Sequence, residues 1–134
     1  RRPHARPAAA EHAVRPGRVV SRALPAVLDV ALVVVFAALG RRSHAEGLDL
    51  LGVLRTAAPF VAGTAAGWLV ASLTLDVGPR ELSFGAVVLV CTVVVGMLLR
   101  RVIGDGTAAS FVIVATTVLS LMLLGWRVIA RLVA

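Results

Sequence analysis

Hydrophobic residues form four long runs along the chain, and short polar segments separate them. The runs cover about 24–39, 50–75, 84–99 and 108–128. A helix needs roughly 20 apolar residues to cross the hydrocarbon core of a bilayer, and we expect the shorter first and third runs to borrow flanking residues. The runs lack the strict alternation of barrel strands, and open sheets would leave backbone groups unpaired in lipid. The pattern therefore predicts four transmembrane helices.

The three connectors predict how these helices are arranged. They read RRSHAEGLD, DVGPRELS and RRVIGDGT, with Gly-Pro in the second and Gly-Asp-Gly in the third as turn signals. Short connectors join antiparallel neighbours. We therefore predict an all-α bundle of four transmembrane helices over residues 23–134, with up-down-up-down topology. Residues 1–22 are rich in Arg, Pro and Ala without an apolar period, which predicts a disordered tail.

A weak internal repeat links the two halves of the chain. Arg41-Arg42 precedes Gly67-Trp68, and Arg100-Arg101 precedes Gly125-Trp126. The first arginine and the tryptophan are 27 residues apart in one half and 26 in the other. Duplication of a helical hairpin would produce this pattern, and so would chance in a chain rich in glycine and arginine. The tryptophans are expected at a membrane interface, the second more so than the deeper first one.

Composition and charge also place the chain in a membrane. Hydrophobic residues make up 59% of the chain and charged residues 16%, with a mean hydropathy of +0.94; a typical soluble domain is about a quarter charged. The net charge is +7, and six of the 14 arginines precede the first run. Basic flanks suit anionic lipid and the cytoplasmic side. This clustering argues against nucleic acid as a partner and favours the lipid bilayer.

The arginines near the ends of the runs predict the orientation. Five of them lie on the side of the chain termini and four on the opposite side: Arg15, Arg18, Arg22, Arg80 and Arg131 against Arg41, Arg42, Arg100 and Arg101. Together with the remaining tail arginines, the positive-inside rule favours both termini in the cytoplasm. The expected location is the plasma (inner) membrane of a bacterium, as a multi-pass protein.

Two charged residues within the runs predict an intramembrane ion pair. A charged side chain in the middle of a bilayer costs several kcal/mol and usually has a partner or a function. Asp29 lies about a turn into the first run and Arg127 near the end of the fourth, so both lie at similar depth on the terminal side. We predict that they pair. In the alternative, Arg127 reaches the lipid headgroups while Asp29 caps its helix locally.

A second group of charges predicts an anion site on the opposite side. Its members lie on two connectors and just inside the second run: Arg41, Arg42, His44, Arg55, Arg100 and Arg101. Guanidinium groups make bidentate contacts with phosphate or carboxylate. The cluster therefore suggests a site for a lipid headgroup or a small anion. In the alternative, the loop is simply solvated and its arginines pair with Glu46, Asp49 and Asp105.

Small residues on one ridge of the second run predict close helix packing. Pro59, Gly63 and Gly67 recur every four residues, and the two glycines form a GxxxG pair that lets another backbone approach. The fourth run carries a polar stripe that we expect to face the bundle: Ser110, Thr117, Ser120 and Arg127. The alternative is ordinary packing, with the hydroxyls bonded to their own helix.

Signatures of catalysis and metal binding are missing from the sequence. The chain has no Gly-x-Ser-x-Gly, no Walker loop and no CxxC. Cys91 stands alone within an apolar run, and His44 has no partner at metal-ligand spacing. We therefore expect no catalytic residue, no metal and no cofactor.

Two functional hypotheses from different classes follow. The first is a small transporter or an anion- or lipid-headgroup-binding protein, acting as a homo-oligomer because four helices leave little room for a pathway. The alternative is a structural or accessory subunit of a larger membrane complex, which the GxxxG pair and the missing catalytic motifs favour. An enzyme acting on a lipid or quinone is a third hypothesis.

Several segments resemble the domain-of-unknown-function 3054 family of small bacterial and archaeal integral membrane proteins. They are Asp29 in its run, FAALGRRSH (36–44), LRTAAPFVAG (54–63) and FVIVATTVLSLMLLGWR (111–127). The resemblance covers about residues 24–131 and implies a four-helix membrane protein, without adding a substrate. It also implies that six residues occupy family-like positions: Asp29, Arg41, His44, Arg55, Pro59 and Arg127.

Overall fold

Four α-helices make up the bundle. The computed structural model describes the backbone of residues 16–43 and 46–134 and the side chains of residues 22–42 and 46–134. The helices are α1 (Pro16–Ser43), α2 (Leu50–Thr74), α3 (Leu82–Val102) and α4 (Ala109–Val133). These residues contain no strand, and all four helices are long and apolar enough to cross a membrane. The predicted all-α four-helix fold is confirmed.

The helix ends follow from local chemistry. α1 begins at Pro16, eight residues before the predicted span, so the backbone of residues 16–22 is helical and not part of a disordered tail. Proline suits the first helical position because it has no N–H to leave unpaired there. The rest of the predicted tail, residues 1–15, lies outside the described residues. At the start of α2, Oδ2 of Asp49 accepts a hydrogen bond from the backbone N of Gly52 at 2.9 Å.

The helices contact one another in chain order, and α4 also contacts α1. The α2–α3 interface is the most extensive and the α1–α4 interface the sparsest. We call the end with the α1–α2 and α3–α4 connectors the loop end. The other end, which carries the α2–α3 connector and the last residue, is the terminal end.

The GxxxG pair explains the extensive α2–α3 interface. A Cβ atom added to Gly63 would lie 2.8 Å from the carbonyl oxygen of Cys91, and one added to Gly67 would lie 2.7 Å from the Cα of Val88. Only glycine allows the two backbones to approach this closely. Pro59 is buried on the same ridge. The GxxxG pair therefore packs α2 against α3 within the molecule.

The interior between the two ends is closely packed. Phe60 is fully buried, with its ring 5.4 Å from that of Phe36 and against Gly96. The hydroxyls of Thr64 and Thr92 lie 2.9 Å apart at the α2–α3 interface, and each also contacts the carbonyl of its own preceding turn. Such hydroxyl contacts satisfy polar groups where water is absent.

The polar stripe predicted on α4 does not face the bundle. Ser110 and Thr117 are exposed, and Ser120 is half-buried; Arg127 alone of the four is buried. The hydroxyls of Thr117 and Ser120 donate to the carbonyls of Ile113 and Thr116 in the preceding turn. Because the helix backbone satisfies them, these hydroxyls can face lipid at little cost.

Candidate functional site

Asp29 on α1 and Arg127 on α4 are in direct contact near the terminal end. Nη1 of Arg127 donates to Oδ1 of Asp29 at 2.9 Å, and Nη2 donates to Oδ2 at 2.8 Å. Both side chains are 0% exposed. This bidentate geometry is the strongest arrangement that a guanidinium and a carboxylate can form. It neutralises both charges within the apolar bundle.

Both tryptophans of the chain bind the same carboxylate. Nε1 of Trp68 donates to Oδ2 of Asp29 at 2.9 Å, and Nε1 of Trp126 donates to Oδ1 at 2.8 Å. Each carboxylate oxygen therefore accepts two hydrogen bonds. The sequence predicted an interfacial belt for the tryptophans and missed this role. The two Gly-Trp dipeptides, one of them directly before Arg127, were the signal that could have revealed it.

Two further N–H groups of Arg127 donate to backbone carbonyls. Its Nε donates to the carbonyl of Pro79 at 2.9 Å, and its Nη1 also donates to the carbonyl of Leu123 at 2.7 Å. Gly85 provides the space, because an added Cβ there would lie 2.7 Å from Cδ of Arg127. The Arg127–Asp29 cluster is thus closed and satisfied by protein groups. Its hydrogen bonds join α1, α2, α4 and the α2–α3 connector, and Gly85 of α3 packs against it.

The loop end is open and contains an arginine-lined cleft of about 900 Å³, which we call the arginine cleft. Arg41, Arg55 and Arg100 line it, from the ends of α1 and α3 and the second turn of α2. Three acidic side chains also line it: Glu46, Asp49 and Asp105. The cleft thus contains three of the predicted anion-binding residues together with the three carboxylates that the alternative pairs with the arginines.

Arg41 lies against the first turns of α2. Its Nη2 and Nε donate to the carbonyls of Glu46 and Gly47 at 2.9 and 3.0 Å, and its Nη1 donates to the hydroxyl of Thr56 at 3.3 Å. The carboxylates of Glu46 and Asp49 are farther away, at 3.6 and 3.5 Å. The backbone therefore positions the guanidinium, and the carboxylates pair with it only loosely.

Arg100 repeats this arrangement in the second half of the chain. Its Nε and Nη2 donate to the carbonyl of Gly106, six residues on, as Nε of Arg41 does to Gly47. The nearest carboxylate is that of Asp105 at 3.7 Å, five residues on, as Glu46 is from Arg41. The sequence RRSHAEG is matched by RRVIGDG. The two connectors therefore have similar local geometry at corresponding positions.

Arg55 is the least engaged arginine of the cleft. It is exposed, and it makes no hydrogen bond or ion pair with the described residues. Pro59, one turn later on the same wall, has no N–H, so it leaves the backbone carbonyl of Arg55 without its usual helical donor. This wall therefore offers a guanidinium that has no partner among the described residues.

A second cleft, of about 510 Å³, adjoins the first, and we call it the lateral cleft. It shares Arg41, Glu46, Thr56 and Arg100 with the arginine cleft. Its other walls are mostly apolar and come from α1, α2 and the start of α4: Phe36, Ala37, Phe60, Phe111 and Val114. The guanidinium carbon of Arg100 lies 4.4 Å from the centre of the Phe111 ring, at the junction of the charged and apolar regions.

Two other predicted members of the anion site lie outside the clefts. Arg42 and Arg101 are exposed and line neither cleft. Each follows directly after a cleft arginine, and one helical residue turns the side chain by about 100°. His44 lies outside the described residues. The structure thus brings together Arg41, Arg55 and Arg100.

Four apolar helices around a neutralised charge pair define the chain as a multi-pass integral membrane protein. Residues 26–130 match the family described as "Protein of unknown function (DUF3054)", and the chain belongs to that family. Comparisons with curated proteins and with solved structures gave no match.

Proposed function

We propose that the protein binds an anionic group, a phosphate or a carboxylate, in the arginine cleft at the loop end of the bundle. The observation that carries the proposal is that three arginines from three helices line one open cleft. Arg55 has no partner among the described residues, and Arg100 has no carboxylate within hydrogen-bond distance. An anion placed between them would gain charge-assisted hydrogen bonds.

The acidic residues of the cleft compete only weakly for these arginines. Side chains of Glu46, Asp49 and Asp105 are 57%, 67% and 49% exposed, and their distances to arginine are 3.5–3.7 Å. The arginine side chains are 16% and 14% exposed, but ion pairs whose carboxylate is exposed and lies beyond hydrogen-bond distance contribute little, about 0–1 kcal/mol. A ligand that makes direct hydrogen bonds with the guanidinium groups would displace them at small cost.

Packing in the middle of the bundle supports binding over conduction through one copy of the chain. Phe60, which lines the lateral cleft, is itself fully buried, and Thr64, Thr92 and Val33 are buried in the interior of the bundle. Toward the terminal end, the Arg127–Asp29 cluster fills the interior. A transporter would have to move these groups or use an interface between copies.

Binding can be tested by thermal unfolding of the purified protein in a non-ionic detergent. The probes are inorganic phosphate and dodecyl phosphate, each titrated at constant ionic strength. We expect at least one probe to raise Tm in a saturable way, since a ligand that binds the folded state stabilises it. Arg55→Ala and Arg100→Ala should each weaken that binding about tenfold, because each removes a charge-assisted hydrogen bond.

Arg42→Ala and Arg101→Ala are matched controls for this experiment. They remove the same charge from the same end of the molecule without changing the cleft lining. Binding that falls equally in all four variants would show general charge attraction and would refute the site. Binding that is unchanged in Arg55→Ala and Arg100→Ala would refute it as well.

A role as an accessory subunit remains the alternative. Its main sequence support, the GxxxG pair, contacts α3 within the molecule and is therefore not available to a partner helix. Native mass spectrometry of the gently extracted protein separates the two functions. A stoichiometric unrelated membrane protein would favour the accessory role, whereas a homo-oligomer with a bound anion would favour the binding role.

A further inference from the structure

We infer that the anionic ligand is an amphiphile whose acyl chain occupies the lateral cleft and which reaches the site from the bilayer. This inference rests on the proposed function, because the arginine cleft would hold the head of the same molecule. It adds the ligand class and the route by which the ligand arrives.

The first observation is that the two clefts are continuous. Arg41, Thr56 and Arg100 belong to the lining of both. A molecule with its anionic group between the arginines can therefore extend directly into the apolar region. The lateral cleft measures about 510 Å³, within the roughly 300–1,000 Å³ usual for small-molecule sites.

The second observation is the polarity of the walls. Phe36, Phe60 and Phe111 form a row of rings, with centroid distances of 5.4 and 6.4 Å between successive members. Arg100 lies over the last ring of this row. A charged group at one end of an aromatic wall complements a ligand that has a charged head and an apolar tail.

The third observation is the location of the opening. The lateral cleft lies between α1 and α4, the pair of helices with the sparsest contact. At the terminal end these two helices are joined through Asp29 and its partners on α4, Trp126 and Arg127. At the loop end Val114 of α4 lines the cleft and is 57% exposed.

The depth of the cleft fits an acyl chain. Phe60 lies ten residues into α2, which is about 15 Å along the helix axis and roughly half the thickness of the hydrocarbon core. The wall from Arg55 to Phe60 thus leads from the loop end into the level of the lipid tails. A lipid tail could enter between α1 and α4 without crossing water.

The energetics assign separate roles to head and tail. A tail that moves from lipid into an apolar cleft gains little from the hydrophobic effect, because both surroundings are apolar. The arginines therefore provide most of the affinity, and the cleft provides selection by shape. An anion without a tail would not be presented by the bilayer and would bind more weakly.

The test compares dodecyl phosphate with inorganic phosphate in a tryptophan variant of the cleft wall. Val114→Trp fills the lateral cleft, whereas Leu121→Trp adds the same side chain to an exposed position on α4 outside both clefts. We expect Val114→Trp to weaken binding of dodecyl phosphate about tenfold, as extra volume does in a packed site. Leu121→Trp should change it by less than about twofold.

Photocrosslinking of the unmodified protein tests the same inference without a substitution. Dodecyl phosphate carrying a diazirine near the end of its chain is irradiated with the protein, and the adducts are located by mass spectrometry. We expect adducts at residues 36–40 of α1 and 111–114 of α4. Adducts spread over exposed lipid-facing positions such as Leu69 and Val90 would overturn the inference.

The outcomes distinguish the inference from the proposed function. If Arg55→Ala weakens both phosphate probes while Val114→Trp changes neither, the anion site stands and the tail assignment is overturned. If neither Arg55→Ala nor Arg100→Ala changes the binding of either probe, the proposed function fails and the inference fails with it.

Discussion

Asp29 is a single carboxylate that satisfies donors from three residues. Its two oxygens accept from Trp68, Trp126 and the two terminal nitrogens of Arg127. Burial of either charge alone in an apolar medium would be very unfavourable. As a bound pair they can reside within the bundle, and their loss of hydration is offset by short hydrogen bonds.

Removing one member of this pair should destabilise the protein strongly. Asp29→Asn leaves the Arg127 charge uncompensated, and Arg127→Met leaves the Asp29 charge uncompensated. We expect each to lower the free energy of unfolding by about 3–5 kcal/mol, measured by titration with a denaturing detergent. The double variant should lose less than the sum of the two single losses, because no charge is left unpaired.

Arg131→Met, on the same helix as Arg127, is the control for this comparison of single and double variants. Arg131 pairs with Glu81 at 3.3 Å, but both side chains are about half exposed, and such pairs contribute about 0–1 kcal/mol. Strictly additive effects of Asp29→Asn and Arg127→Met would show that the two charges do not stabilise each other.

The helices differ in how they approach one another, and glycine accounts for much of the difference. Gly67 and Gly125 each precede a tryptophan that binds Asp29, yet their surroundings differ. A Cβ on Gly67 would meet the α3 backbone at Val88, whereas one on Gly125 would meet nothing within 4 Å. The two Gly-Trp dipeptides therefore differ in how closely their glycines are packed.

This pair of glycines gives a matched prediction. Gly67→Ala should destabilise the bundle by about 1–3 kcal/mol, because the α2 and α3 backbones must separate. Gly125→Ala should be neutral or stabilising by up to about 1 kcal/mol, because alanine favours the helix. Thermal unfolding of the two variants side by side measures the difference. Equal losses in both would contradict the close approach at Gly67.

At the scale of elements, hydropathy predicts the helices well but misses the start of α1. The runs are long, and lipid allows few other structures, so the helix α2 over Leu50–Thr74 nearly coincides with the predicted 50–75. α1 begins earlier because residues 16–22 form a helix without an apolar period, which leaves no signal in hydropathy.

The candidate sites were predictable only in part, for a geometric reason. The depth of a residue in the membrane follows from its position along its helix, so the sequence predicted that Asp29 and Arg127 lie at similar depth. Rotation about the helix axis and the folding back of loops do not follow from the sequence so simply. Helix rotation and loop conformation determine that Arg41 and Arg100 line the cleft while Arg42 and Arg101 do not.

At the scale of the whole molecule, the up-down order sets which connectors share a membrane side. The α1–α2 and α3–α4 connectors lie at the loop end and the α2–α3 connector at the terminal end. We propose that the terminal end faces the cytoplasm, as the distribution of arginines favours.

Single cysteines test this arrangement in a Cys91→Ala background. Gly78 and Gly106 lie on opposite connectors, and an added side chain would meet nothing within 4 Å at either position. A membrane-impermeant maleimide applied to intact spheroplasts should label Gly106→Cys and not Gly78→Cys. The reverse pattern would invert the proposed orientation, and labelling of both would contradict the antiparallel order.

The sequence separation between Asp29 and its partners also has a consequence for biosynthesis. Trp68 follows it by 39 residues and Arg127 by 98. At roughly 5–20 residues per second, the arginine is made about 5–20 s after the aspartate. During that interval the first helix carries a carboxylate without its counter-charge, and Trp68 is the first of its donors to be made. A ribosome that stops before residue 127 therefore leaves a chain that lacks the guanidinium that binds Asp29.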